Sequence, residues 1–235
     1  MKSVKNIVCV NTGTKYSKDY VNILYNMVSR NISGDFSFYV ITDQKDLYTR
    51  PIKPIVIENA EQSWWDKFHL FAPNTLPRDE YLYLDLDVVI VDNIDKLFNR
   101  AGFSIIRDFI RPDQGLLGNK EYNSSVMYFK PKECIGIWEW FKNNEEHWRS
   151  YQDQIHFFGD QNVISEYLNH YEYYCNPFPD EWIWSYKKGV ERGKTAGDRS
   201  RMFGDTIPPE GKICVFHGKP NPTEVDTDWV KENYR

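Results

Sequence analysis

The sequence predicts an α/β domain with a mostly parallel central sheet flanked by helices. Three observations lead there. Apolar strand-like runs alternate with segments of helical periodicity over the first ninety residues. Hydrophobic residues make up 41% of the 235, enough to bury a full core, and no internal repeat divides the chain into halves.

In order, Asn6 to Val10 reads as a buried strand, followed by the turn Asn11-Thr12-Gly13 and a helix with Val21, Leu24, Tyr25 and Val28 at i, i+3, i+4 and i+7. Phe36 to Ile41 is a second strand and Ile55 to Ile57 a third. A helix then begins at Ser63, where the Ser63 hydroxyl and Asp66 form a start resembling a capping box, and it carries Trp64, Trp65, Phe68, Leu70 and Phe71. Tyr81 to Val91 reads as one continuous strand. Beyond it come a short helix around Ile94 to Phe98, strands Phe103 to Arg107 and Ser125 to Phe129, and an aromatic helix from Glu133 to about Phe141. The glycine-rich, basic stretch Lys187 to Asp205 has no apolar period and reads as a surface loop. Ile213 to Phe216 returns to strand and delivers His217-Gly218-Lys219-Pro220.

A net charge of -5 disfavours a nucleic acid held through its phosphates. Aromatic residues reach 16%, which suits stacking on a sugar or a base as well as filling a core. The apolar run near the amino terminus ends at Asn11, too short for a signal peptide or a transmembrane segment, so a cytoplasmic chain is expected. The four cysteines are widely spaced without a C-x-x-C, which argues against disulfides and thiolate zinc sites.

The chemistry concentrates in YLYLDLDVVIV. In a strand, Asp85 and Asp87 project from one face about 6.5 Å apart, and ionised carboxylates in apolar surroundings need a partner. A hard divalent cation that also holds phosphate, Mn2+ or Mg2+, is such a partner. Asp226 and Asp228 share the spacing but sit in NPTEVDTDW, a polar, Pro-containing tail where solvated turn carboxylates are ordinary. His217 offers an imidazole, itself a competent Mn2+ ligand.

Taken together, VNTGTKY, WWDKFHLF, YLYLDLDVVI, NSSVMYF, GDQNVI and FHGKP resemble, in order and spacing, the GT-A glycosyltransferases of the glycogenin and lipopolysaccharide-galactosyltransferase type. The resemblance spans Asn6 to about Pro220 and implies one GT-A domain over residues 1–235, with a nucleotide-binding part to about 100 and an acceptor-side part beyond. It implies a retaining, metal-dependent hexosyltransferase that uses a UDP-sugar donor and a carbohydrate or other hydroxyl acceptor. Asp85, Asp87 and His217 would hold Mn2+, and Lys219 would neutralise the departing diphosphate, although the final motif is compressed to HGKP. Asn11, Thr12 and Tyr16 would hold uracil and ribose, Lys67 would contact the donor, and Asp108 would recognise the sugar. Asn123 and Ser124 match a pair near the donor sugar, with Ser125 in place of the usual glycine. Asp160 and Gln161 match the pair beneath the anomeric carbon and double as a helix cap, and Trp182 would wall the acceptor.

Two other readings stay open. A strand followed by D-x-D-x-V also opens the haloacid dehalogenase phosphatase pattern, although no second carboxylate follows Asp160 in GDQNVI. A sugar-nucleotide or glycan-binding protein without turnover would carry the same ligands.

Overall fold

The alternation of strand and helix is present. β1 (Lys5–Val10) leads to α1 (Lys18–Asn31), then β2 (Phe36–Thr42), β3 (Ile52–Val56) and β4 (Tyr81–Leu84). These are followed by β5 (Val88–Ile90), β6 (Ser104–Arg107), β7 (Tyr122–Phe129), α2 (Ile135–Asn143), α3 (Glu145–Arg149) and α4 (Asp160–His170). The chain closes with β8 (Ile183–Ser185), β9 (Ile213–Val215) and α5 (Asp228–Asn233). This computed structural model describes residues 4–115, 118–155, 157–190, 193 and 206–235.

The main sheet has the order β3-β2-β1-β4-β7-β6, parallel from β3 to β4 and antiparallel from β4 to β6. α1 buries Val21, Leu24, Met27 and Val28 in the core on one face of this sheet, and Ser17 caps its start by accepting the Asp19 N–H. A second sheet, β5-β9-β8, shares that core. The opposite face is covered by the 3-10 helix Trp64–Leu70, α2 and α4, with Trp65, Phe68 and Phe141 stacked together. Alternation along β4 sorts the two cores: Leu82 and Leu84 enter the first, Tyr81 and Tyr83 the second. Among the described residues no helix is long and apolar enough to cross a membrane.

The sequence reading needs correction in several places. Tyr81 to Val91 is two strands in two sheets, broken at Asp85-Leu86-Asp87. Buried Leu86 anchors the turn, the Asp85 N–H continues the ladder to the Ser125 carbonyl, and the Asp87 carbonyl accepts from the Phe216 N–H. The two carboxylates therefore meet the solvent side through a turn rather than through strand pleat. β3 begins three residues earlier than expected; it is an edge strand with an exposed Lys53 and a proline, so it carries little apolar signal. β7 begins at Tyr122 because Asn123 and Ser124, polar by type, are buried in it. The segments starting at Ser63 and near Ile94 are 3-10 helices, and the capping box between Ser63 and Asp66 is formed. At α4 the cap position is Gly159, with no side-chain cap bond, so Asp160 does not cap its helix.

Candidate functional site

Because β1 and β4 are parallel neighbours paired at Val8 and Tyr83, their carboxyl ends lie side by side and bring Asn11 and Asp85 to one edge of the sheet. A cavity of about 720 Å3 opens there. It is lined from one chain end to the other: by the turn after β1, the 3-10 helix, the Asp85 to Asp87 turn, β7, the start of α4, and His217 with Gly218 after β9. Such crevices beyond the carboxyl ends of parallel strands are where α/β sheets bind ligands.

At the β1 turn, Asn11 Nδ2 donates to the Tyr16 carbonyl and to the Tyr48 hydroxyl, 2.5 Å away. The carbonyl partner fixes which amide atom is nitrogen, and it leaves Asn11 Oδ1 buried with no partner. Thr12 lines the cavity, but its hydroxyl donates to Asp66 at 2.6 Å. Asp66 also accepts from the N–H groups of Glu61, Gln62 and Ser63, so this one carboxylate ties the β1 turn to the 3-10 helix. Tyr16 lines the same wall, and burial followed by Asp87 raises its phenol.

Lys67 is buried at the floor. Its amine lies 2.8 Å from Asp160, 3.2 Å from Asp85 and 3.1 Å from the Ser124 hydroxyl. Burial alone would lower its pKa, but Asp160 and then Asp85 reverse the sign and raise it. Ser124 donates to Asp160 at 2.5 Å, and Tyr83 donates to Asp85. The partner that the sequence demanded for its acidic strand is thus supplied to Asp85 by a lysine. Asp87 is served less well: burial and then the neighbouring Asp85 raise its pKa to about 7, against Lys67 and Lys15. An under-neutralised carboxylate pair of this kind fits a hard divalent cation, which removes the repulsion on arrival.

His217 lines the opposite wall, its ring stacked on Phe109 at 5.4 Å and its Nε2 2.7 Å from Ser185 Oγ. Ser185 Oγ accepts from the N–H groups of Lys187 and Lys188, so its own hydrogen points to Nε2 and the neutral imidazole carries its proton on Nδ1. Among the described residues no three His, Cys, Asp or Glu side chains converge closely enough to hold a metal ion. His217 is therefore near Asp85 and Asp87 without sharing a coordination shell with them in this arrangement.

Gln161 is locked from below. Its Nε2 donates to Asp108 at 3.3 Å and to Glu121 at 3.4 Å, while its Oε1 accepts from Asn123 Nδ2 at 3.2 Å. Asn123 also lines the cavity, and its Oδ1 holds the Ser125 N–H.

Three expected site residues lie elsewhere. Asp108 is buried behind Gln161 and accepts from the N–H groups of Ile110 and Arg111, so it positions the amide and does not line the cavity. Trp182 packs against the core with Lys96 and Arg100 near its ring, away from the cavity. Lys219 has an 83% exposed side chain paired to Glu224 at 3.0 Å, also outside the cavity. The expected basic loop falls largely outside the described residues; only Lys187 to Val190 and Gly193 of it are seen. Sequence reasoning missed Glu121, Ser185 and Tyr48, which carry no motif and matter through contacts between distant segments, and it gave Asp66 a cap only.

No protein-family model matches the chain, and no curated protein matches it in sequence. Solved structures do match in fold. Glycosyltransferase GlyE of Streptococcus pneumoniae TIGR4 superposes with a TM-score of 0.69 at 12% identity, covering 99% of this chain and 62% of GlyE, so the chain spans less than two thirds of that protein. Galactosyltransferase LgtC, solved with donor and acceptor sugar analogues, gives 0.66 at 14% identity over 97% of this chain and 94% of LgtC. The bifunctional glycosyltransferase WbbM gives 0.64 at 12% identity, over all of this chain and 50% of WbbM. The chain has the GT-A fold, the architecture expected from its motifs.

Proposed function

We propose that the chain is a glycosyltransferase that moves a sugar from a UDP-sugar to a carbohydrate or other hydroxyl acceptor, with retention and with Mn2+ or Mg2+. The observation that carries this reading is the convergence, in one cavity at the carboxyl ends of β1 and β4, of the Asp85 to Asp87 turn and the Asp160-Gln161 start of α4. The orphaned Asn11 Oδ1 adds to it, because a buried acceptor without a donor fits a ligand N–H such as that of uracil.

Asp85 and Asp87 are the residues that would hold the metal, and His217 could join them by turning away from Ser185. When bound, the cation supplies Lewis-acid neutralisation of the diphosphate. The remaining steps belong to the chain. Asn11 and Tyr16 take the nucleoside, and Lys67 holds Asp160 in place and opposes the rise in its pKa that burial causes. As the anomeric carbon to phosphate oxygen bond breaks, its electron pair leaves with the diphosphate. Asp160 and the Gln161 carbonyl then stabilise the positive carbon left behind, by preorganised charge and dipole. The acceptor hydroxyl attacks on the face just vacated, and its proton passes to the departing diphosphate oxygen.

Incubation with a panel of UDP-sugars and Mn2+ tests the reading through UDP release and NMR of the first-formed product. Metal-dependent release with an α linkage from an α donor is expected. A β linkage overturns retention, tight UDP binding without turnover returns the protein to a sugar-nucleotide binder, and orthophosphate release from phosphate monoesters makes it a phosphatase.

A further inference from the structure

Lys187 reads in the sequence as the first residue of a basic loop, but the fold sets it against His217 and Gly218, just behind the residues that line the cavity. β8 and β9 are parallel and register Ser185 with Val215, so two residues further on Lys187 and His217 end side by side. The Lys187 amine donates to the His217 carbonyl at 2.5 Å, and among the described residues it has no carboxylate at ion-pair distance. Burial lowers its pKa, and Asp87 is close enough to oppose that fall. A half-buried ammonium whose hydrogen-bond partner is a neutral carbonyl is under-compensated and favours the arrival of an anion. Gly218 lines the cavity, and a Cβ there would sit 3.5 Å from the amine, so only the glycine backbone stands between the Lys187 amine and the cavity at that point. Lys219 is spent on Glu224, whose carboxylate is itself fixed in the capping box at Asn221.

We infer that Lys187, and not Lys219, is the cation that meets the diphosphate of a nucleoside diphosphate in this cavity. The assignment rests on the donor reading above. When the anomeric bond breaks and its electron pair moves onto the phosphate oxygen, the Lys187 ammonium exchanges the His217 carbonyl for that oxygen and keeps all its protons. The end of β8 and the turn after it thereby hold His217 twice, Ser185 by its ring and Lys187 by its carbonyl.

Calorimetry with UDP and with uridine, both in Mn2+, tests the assignment on Lys187→Gln, Lys187→Arg and Lys219→Gln. Glutamine keeps an N–H for the His217 carbonyl while removing the charge. The expected result is UDP binding weakened at least tenfold in Lys187→Gln, uridine binding unchanged within twofold, near wild-type UDP binding in Lys187→Arg, and no change in Lys219→Gln. Equal loss of UDP and uridine binding, or the UDP loss appearing in Lys219→Gln instead, overturns it. A measurement on the unaltered chain covers misfolding of the glutamine variant: with lysine labelled at Cε, UDP and Mg2+ should shift the Lys187 resonance and uridine should not, and an unmoved resonance overturns the assignment. Wild-type UDP-sugar turnover separates the two ideas. Turnover with normal UDP binding in Lys187→Gln removes Lys187 and leaves glycosyl transfer, whereas selective UDP loss without wild-type turnover keeps Lys187 and removes glycosyl transfer.

Discussion

Lys67 shows how much a single side chain decides. Among the described residues it is the one cation paired with both Asp85 and Asp160, and the Asp160 side chain is 6% exposed. Lys67→Met leaves that carboxylate buried without its counter-charge, which should cost about 3 kcal/mol in urea denaturation. Adding Asp160→Asn should recover most of the loss, since the uncompensated charge is then gone; a double variant no more stable than Lys67→Met contradicts the pairing. Glu121 acts in the opposite sense. It is 2% exposed, and burial, then Asp108, raises its pKa above the ordinary glutamate range. A carboxyl raised in the folded state contributes stability at pH below its unfolded value, about 4.3, and that contribution is lost as pH climbs through the folded value. As pH rises above about 4.3, the stability of Glu121→Gln should therefore improve relative to wild type, measured as the difference in urea midpoints at each pH. A constant difference would place no titration at Glu121. Its neighbour Gln161 would then be held by geometry alone.

At the scale of elements, the start of α4 is the joint on which the site turns. Gly159 has φ +64, and a Cβ there would meet the Trp64 indole at 2.6 Å. Both facts require glycine: the backbone is in the region that favours it, and the Trp64 ring fills the space a side chain needs. Gly159→Ala is expected to destabilise by about 2 kcal/mol and to lower turnover, because any relief moves Trp64 or the Asp160-Gln161 pair. Melting temperature and UDP-sugar turnover measured together check this; a stable, fully active variant means the joint is slack. The 3-10 helix is set by a similar economy, with Asp66 holding three backbone N–H groups and the Thr12 hydroxyl at once.

On the scale of the whole molecule, the cavity joins segments from Val10 to Gly218 and takes walls from the main sheet and from the turns that flank the second, at Asp87 before β5 and at His217 and Gly218 after β9. A ligand bound there holds the two sheets together, so binding reports on global stability. UDP with Mn2+ at about a hundred times its dissociation constant should stabilise the fold by about 2.7 kcal/mol, or roughly 5–10 °C in melting temperature for a chain of this size. Asp87→Ala and, separately, Asp85→Asn should melt cooperatively without ligand, lose most of that shift and lose Mn2+-dependent turnover. A full shift with normal turnover in either variant removes the carboxylate from the ligand site.

The sequence by itself determined the α/β class, the buried strands Asn6 to Val10 and Ile213 to Phe216, the α1 stripe, the capping box at Ser63 and the acidic motif, because each is a local pattern of residue type and spacing. Of the fourteen site residues it singled out, eleven line the cavity, Asp85, Asp87, Asp160, Gln161 and His217 among them. Only the tertiary structure decided how these are used. The break of Tyr81 to Val91 into two sheets depends on β9 arriving more than a hundred residues later to pair with β5. Lys67 became the partner of Asp85 and Asp160, Asp108 moved behind Gln161, and Lys187 rather than Lys219 came to rest against His217. Periodicity reports which face of an element is apolar, whereas charge pairing and burial are set by distances between segments far apart in the chain, and those exist only once the sheets have formed.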